Sequence, residues 1–273
     1  MMLNIIMNRA DIRQVWLVVI IVLCGTTLQI AKANVYAEKG LQIAKERKKR
    51  DMGWGDSISE VIMTLRNAEG KESIRKMRMK NLEVIDDGDK GLTVFDQPRD
   101  VKGTAFLNYS HPTEPDDQWL YLPALKRVKR IASRNKSGPF MGSEFAYEDL
   151  TSFEIEKYRY AYLKEEVLND VNCFVVEQYP LDDFSGYKRL VVWVDQQHYR
   201  PFKVEYFDKK NSLLKSLLFK DYKRYLNKYW RAATMEMMNH QTGKVTELKT
   251  LRLEFNTGLN KQDFDKSSLK RVR

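Results

Sequence analysis

Apolar and polar positions alternate along most of the chain with a period of two, which is typical of β-strands that bury one face. Val61, Met63 and Leu65 show the pattern in the segment that begins at Ser57. Further segments of this kind cover residues 75–85, 92–95, 101–109, 119–122, 126–132, 156–167, 173–180, 187–194, 202–207, 213–225, 230–238 and 244–255. Because short turns such as 86–89 separate them, we predict a meandering antiparallel sheet of about ten or eleven strands.

Two segments have helical spacing instead. Residues 35–51 carry Ile43 and Ala44 among polar residues and end in the basic run 46–50, which we expect to be a solvated helix end. Residues 143–150 predict a second, short helix. The fold class is therefore α+β and mainly antiparallel β. A sheet of this size curls, so we predict an unclosed half-barrel with two or three helices covering its concave face.

The first 33 residues have the layout of a secretory signal peptide. Arg9 and Arg13 precede a nine-residue apolar core at 15–23, and the A-x-A sequence 31–33 follows. Such a core is shorter than the roughly 20 residues that span a bilayer, although an uncleaved anchor is the alternative. Cys24 lacks the small preceding residue of a lipoprotein site. We therefore predict cleavage after Ala33, a free periplasmic protein, and a single domain over residues 34–273.

Composition narrows the function classes. The 273 residues are 43% hydrophobic and 31% charged, as in an ordinary globular protein. Cys173 is the one cysteine after residue 33, so no internal disulfide is expected, and its apolar neighbours indicate a buried thiol. Cleavage removes three cations and one carboxylate, leaving a net charge of +8. A secreted protein with this charge favours anionic membrane surfaces or acidic partners over nucleic acid.

Motifs for catalysis or metal binding are absent from the sequence. It contains no G-x-S-x-G, H-E-x-x-H or phosphate-binding glycine loop. His111, His198 and His240 each fall in a predicted turn, and their spacing is not that of metal ligands. Separately, the tail 262–273 is polar, and we expect it to fray. We therefore predict a protein that is not an enzyme and needs no cofactor or metal. A hydrolase would need a nucleophile and base that converge from distant turns.

Large apolar side chains are abundant: 11 Met, 14 Tyr, 12 Phe and 5 Trp. Most of them should only fill the core. A curved sheet encloses more volume than two or three helices can fill, so we expect a subset to line a cavity for an apolar ligand, to which Met adapts its shape.

Three motifs carry a resemblance to a known family. They are VKGTAFL at residues 101–107, DDQWLYLPALKRVKRI at 116–131 and SGPFMGSEFAYEDL at 137–150. This part of the chain resembles the outer membrane lipoprotein-sorting family, in the branch related to LolA and LolB. The resemblance implies an unclosed β-barrel capped by helices, whose cavity takes the acyl chains of a lipid or lipoprotein. It also implies an RND-type exporter or an outer-membrane acceptor as a partner.

The site is assigned by position in these motifs. The residues expected to contact lipid are the strand residues Trp119, Tyr121 and Leu122, the lid residues Phe140, Met141, Phe145 and Tyr147, and the wall residues Met63, Leu65 and Phe106. The residues expected to contact an anionic head group or an acidic partner are Lys126, Arg127, Lys129 and Arg130. For these four cations, a charged sheet edge that resists aggregation is the alternative.

Two function hypotheses follow. The first is a periplasmic carrier that holds acyl chains in the half-barrel and moves them across the envelope toward the outer membrane, with transient membrane contact. The second is a non-catalytic periplasmic adaptor that docks onto an RND-type exporter or another envelope complex.

Overall fold

The computed structural model describes residues 33–271, so the predicted signal peptide lies outside the described residues except for Ala33. Residues 33–50 form helix α1. The strands that follow are β1 (Asp56–Arg66), β2 (Glu72–Leu82), β3 (Lys90–Gln97), β4 (Ala105–Tyr109), β5 (Asp117–Leu122), β6 (Arg127–Ile131), β7 (Tyr158–Leu168), β8 (Val171–Pro180), β9 (Tyr187–Asp195), β10 (Pro201–Asp208), β11 (Leu213–Tyr225), β12 (Tyr229–Asn239) and β13 (Val245–Phe255).

All thirteen strands belong to one antiparallel sheet with the order β6-β5-β4-β3-β2-β1-β13-β12-β11-β10-β9-β8-β7. The two outer strands, β6 and β7, pair on one side only, so the sheet is unclosed as predicted. The predicted count of ten or eleven strands is wrong, since each extended segment forms a strand of its own and the sheet has thirteen. The turn at Asn169 and Asp170 is an example: with φ of 47° and 63°, both residues adopt the left-handed conformation of a tight hairpin turn, which separates β7 from β8.

Pairing of β1 with β13 joins the first half of the sheet to the second. Ser57 lies opposite Phe255, and Met63 lies opposite Leu248. Because side chains alternate between faces, the odd-numbered residues of β1 from Ser57 to Leu65 all share one face. That face is concave and carries the main hydrophobic core, in which Met63 is 1% exposed.

Helix α1 covers part of this concave face. Ile43 and Ala44 are buried there, as the helical spacing predicts. Gly40 permits a close approach to β7, because a Cβ atom at this position would lie 2.9 Å from the backbone nitrogen of Tyr162. The described residues contain no other α-helix, and none of them forms a helix long and apolar enough to cross a bilayer. The predicted helix 143–150 is wrong except for a 3₁₀ turn at Tyr147–Leu150.

The convex face has its own cover. Phe264 and Leu269 of the C-terminal segment are fully buried against Leu92 and Leu107 of β3 and β4. The prediction that this tail frays is therefore wrong for the part that the structure describes, up to residue 271. The physical reason is that β3 to β5 are apolar on both faces, so their outer face also needs a partner.

Cys173 lies on the convex face of β8, packed with Val175, Val191 and Trp193 and without solvent exposure. Burial raises the pKa of its thiol to about 11. We expect the recombinant chain 34–273 to react with a disulfide reagent at pH 8 at least about 100-fold more slowly when folded than in urea, because little thiolate forms below the pKa. A Ser212→Cys variant, exposed in a turn, supplies the fast-reacting control. A native Cys173 that reacts as fast as in urea would contradict this packing.

A cavity at the open end of the half-barrel

The connection between β6 and β7 crosses the concave face, because these strands are the two opposite edges of the sheet. Its residues 137–150, here called the plug, fill one end of the half-barrel. Phe140 and Phe145 are 1% and 2% exposed. The Phe140 ring lies 5.1 Å from Phe106 and 5.8 Å from Phe95, between centroids. Such aromatic contacts make the plug part of the core.

A buried ion pair anchors the plug to the sheet. Lys215 Nζ lies 2.6 Å from Asp149 Oδ2, and the two side chains are 5% and 3% exposed. Lys215 also donates to the Glu144 carbonyl at 2.8 Å, and the Tyr187 hydroxyl donates to Asp149 at 2.7 Å. Because each buried charge has a counter-charge and further hydrogen bonds, the desolvation cost of the pair is offset here.

Beyond the plug, the concave face borders a cavity of about 940 Å³. Its walls come from the C-terminal end of α1, from β1, β2 and β11 to β13, and from residues 151–156. Along β1 the boundary is sharp: Ser57, Ser59 and Val61 line the cavity, whereas Met63 lies in the packed core next to the plug. The volume falls in the upper part of the range of small-molecule pockets.

The cavity walls are amphipathic. The apolar and aromatic lining residues include Trp54, Met79, Phe153, Tyr199, Phe219, Tyr222, Trp230, Met235, Leu248 and Leu253. The cationic lining residues are Arg47, Lys48, Arg50, Arg200, Arg224, Lys228 and Arg231. The walls therefore provide apolar surface together with charge.

Guanidinium groups stack on several rings of the wall. The Arg200 guanidinium lies 4.4 Å from the Trp230 ring and 4.9 Å from the Tyr222 ring. The turn between β9 and β10 holds Arg200 in place through Asp195, which accepts its Nε–H at 2.7 Å and the amide of His198 at 2.6 Å. Burial opposes ionisation of Asp195, but these hydrogen bonds outweigh it and lower its pKa. Asp195 therefore remains a charged anchor for this wall.

None of the ten residues predicted to contact lipid lines the cavity. Met63, Phe106, Phe140 and Phe145 are core residues, and Leu65, Leu122, Met141 and Tyr147 pack against the same core. Placing Trp119 and Tyr121 on the cavity side was wrong, because both pack in the convex cluster with Phe264 and Leu269. The physical reason is that alternate residues of β5 are apolar on both faces, so the pattern does not identify the concave one.

The plug also differs from the predicted lid. Phe140 was assigned to a lid that contacts lipid, yet it is among the most buried side chains. Arg75 donates to the Met141 carbonyl at 2.5 Å, and the Glu144 amide donates to Thr246 at 3.0 Å. These contacts fix the segment across several strands. The open end of the half-barrel is the opposite one.

The sequence pattern placed several residues of the cavity wall on strands, but it did not identify them as cavity residues. Phe219, Met235 and Leu248 belong to three strands whose period-two pattern was recognised, but no family motif singled them out. Arg47 and Lys48 belong to the basic run that was expected to be solvated, yet both line the cavity. Whether these two side chains face solvent or the cavity depends on how α1 packs on the sheet, which the sequence pattern does not show.

The four cations predicted to bind a head group do not line the cavity. They lie on or beside the edge strand β6, where Lys126, Arg127, Lys129 and Arg130 are exposed. Arg130 pairs with Asp117 at 2.5 Å. A contact with an acidic partner stays a prediction for this edge.

Residues with potential catalytic or metal-binding chemistry do not form a site here. Residues 33–271 contain no cluster of three metal-ligating side chains. His240 Nε2 lies 3.0 Å from Ser216 Oγ, but this pair lies outside the cavity. His111 contacts Asp87 instead, and the His198 ring stacks on Trp230. The three histidines therefore have separate surroundings.

The plug anchor allows a direct test of stability. We expect Lys215→Met to lower the free energy of unfolding in urea by about 3–5 kcal/mol, because Asp149 is then left buried without its counter-charge. The double variant Lys215→Met/Asp149→Leu should lose less than the single variant. Arg252→Met, which breaks the exposed Arg252–Glu254 pair, should lower the free energy of unfolding much less than Lys215→Met, because solvent screens that pair. Equal losses for Lys215→Met and Arg252→Met would contradict the anchoring role.

Comparison with known proteins identifies structures that are similar to this one. Residues 87–271 match the model of a family described as "uncharacterized protein"-like. No curated protein is significantly similar to the chain. Among solved structures, a domain named for outer membrane lipoprotein sorting, from Vibrio parahaemolyticus, is 67% identical, with a TM-score of 0.85 over 86% of this chain and 100% of that one.

Two further structures are similar. A DUF1329 family protein from Desulfovibrio piger is 29% identical, with a TM-score of 0.81 over 86% of this chain and 99% of that one. A LolA superfamily protein from Nitrosomonas europaea shares the fold, with 18% identity and a TM-score of 0.67 over 83% of this chain and 97% of that one. None of the three is named for a catalytic activity. The resemblance noted in the sequence is thus confirmed, and the chain belongs to the family of outer membrane lipoprotein-sorting proteins.

Proposed function

We propose that the chain is a periplasmic carrier that binds the acyl chains of a lipid or lipoprotein in the cavity between α1 and the sheet. The observation that carries this proposal is the 940 Å³ cavity, lined by aromatic and aliphatic side chains, in a LolA-like half-barrel. The proposal includes a single domain over residues 34–273 and cleavage of the signal peptide after Ala33. Transfer toward the outer membrane is inferred from the name of the Vibrio relative.

The hydrophobic effect is sufficient for such a function. Burial of one methylene group stabilises a complex by about 0.8 kcal/mol, and micromolar affinity requires about 8 kcal/mol. Roughly ten buried methylenes therefore reach this affinity before the cost of immobilising the chain is subtracted. One acyl chain supplies that many. Binding of this kind needs no catalytic group.

Filling the cavity provides the test. Thr250 lines the cavity on β13 opposite Val61, so we expect Thr250→Trp to displace at least two methylenes of a bound chain. At about 0.8 kcal/mol each, the dissociation constant of a fluorescent acyl probe should rise tenfold or more. Fluorescence titration of the purified chain 34–273 measures this value.

A matched control separates cavity filling from general damage. Thr64 lies on β1 next to Thr250's strand but on the other face, between inward-facing Met63 and Leu65. Thr64→Trp makes the same exchange on the convex side and should bind the probe as the unmodified chain does. Equal affinities for the two variants, or no probe binding by the unmodified chain, would refute the carrier proposal.

The features of the edge strand β6 support a second candidate function, that of a non-catalytic adaptor. The side chains of Lys126, Arg127 and Lys129 are exposed and have no hydrogen-bond or ion-pair partner within residues 33–271. One side of β6 also presents unpaired backbone groups, as edge strands do. An acidic extended segment of an exporter or another envelope protein would complement both features. The cavity is not needed for this function.

Charge reversal tests the adaptor. We expect the triple variant Lys126→Glu, Arg127→Glu, Lys129→Glu to lose association with an envelope partner in pull-down from solubilised membranes, because each new charge repels an acidic surface. The fold should persist, since all three side chains are solvated. Thr250→Trp should leave the association intact. Unchanged association of the triple variant would argue for the alternative, a sheet edge protected by charge.

A further inference from the structure

Arg47 is a cation of the cavity wall that has no ion-pair partner within residues 33–271. It lies on α1 one helical turn after Ile43 and Ala44, both buried, so the helical period turns it toward the concave face. Its guanidinium lies 4.2 Å from the Phe153 ring. Within residues 33–271 it has no hydrogen bond and no ion pair.

The remaining cations of the cavity are already engaged, apart from one at the exposed rim. The ion pairs are Lys48–Glu154 at 2.9 Å, Arg50–Glu46 at 2.7 Å, Arg200–Asp195 at 2.7 Å and Arg231–Asp51 at 2.5 Å. Lys228 donates to the Met52 carbonyl at 2.9 Å. Arg224 lacks a partner in the described part of the chain, but it is solvated at the mouth of the cavity. Arg47 is thus the inner cation that remains available.

The surroundings of Arg47 make an unpaired charge unfavourable. Burial lowers the pKa of its guanidinium, with Tyr222 and Asp51 acting in the opposite direction. Asp51 is the carboxylate that acts on it, yet Asp51 is bonded to Arg231. Arg47 is half-buried, and a half-buried cation without an anion carries a desolvation cost that a ligand anion would offset. Guanidinium groups bind carboxylate and phosphate through paired hydrogen bonds.

We infer that the cargo of this protein carries one anionic group, a carboxylate or a phosphate, which binds Arg47 inside the cavity while its apolar chain lies against Phe219, Met235 and Leu248. This inference rests on the proposed carrier function and specifies its cargo. The acidic lining residues would repel a polyanion and so limit the ligand to a small charge; they are Asp51, Glu83, Asp87, Asp89, Glu154 and Glu156. A neutral acyl chain would leave Arg47 unpaired.

The test compares ligands that differ only in their head group. Dodecanoate, methyl dodecanoate and dodecyl phosphate are titrated against the purified chain 34–273 by displacement of a neutral fluorescent acyl probe. We expect at least one of the two anions to bind about tenfold or more tightly than the ester, the ratio expected for a hydrogen bond to a charged group. Inorganic phosphate alone should not displace the probe, which distinguishes a lipid head group from a free phosphate site.

Arg47→Gln, which keeps a polar side chain but removes the charge, should abolish this preference and leave ester binding within about twofold. Arg47→Lys should retain part of it, and Arg224→Gln at the rim should retain all of it. Equal binding of anions and ester by the unmodified chain, or an unchanged preference in Arg47→Gln, would overturn the inference while leaving the carrier proposal intact. Failure of all three amphiphiles to bind would refute the carrier itself.

Discussion

The position of the two sheet edges is the constraint on which the rest of the structure depends. Pairing of β1 with β13 places β6 and β7 at opposite ends of a thirteen-stranded order, although they are consecutive in the chain. The connection between them must cross the concave face. It therefore fills one end of the half-barrel, while α1 covers the rest only in part. The cavity is the volume that neither element reaches.

Charge distribution follows from the same geometry. Segments that cross an apolar face bring polar groups with them, and each must find a partner there. Asp149 finds Lys215 in the plug, and Glu154 finds Lys48 beside the cavity. Most buried charges thus hold the segments in place. Arg47 is the inner cation of the cavity without such a partner, and the proposed anionic cargo would supply one.

The LolA-like fold is consistent with a carrier, but the fold alone does not specify what is carried. The fold is shown by the relatives, whereas the nature of the cargo depends on the side chains of this cavity. Aromatic rings stacked under guanidinium groups differ from a purely aliphatic wall, since they tolerate a polar group beside an acyl chain. The cavity is therefore suited to an amphiphile more than to a hydrocarbon.

The sequence alone determined the class of fold, helix α1, the location of nearly every strand and the family, because period-two alternation and turn residues are local signals. Only the tertiary structure decided which face is concave. Trp119 and Leu120 are both buried, on opposite faces of β5, so burial could not distinguish them. The same applies to Phe264, in the polar tail, and to Arg47, at the basic end of α1. Both segments look solvated in the sequence until the sheet surface beside them is known. Long-range pairing, which local patterns do not encode, decides what each side chain meets.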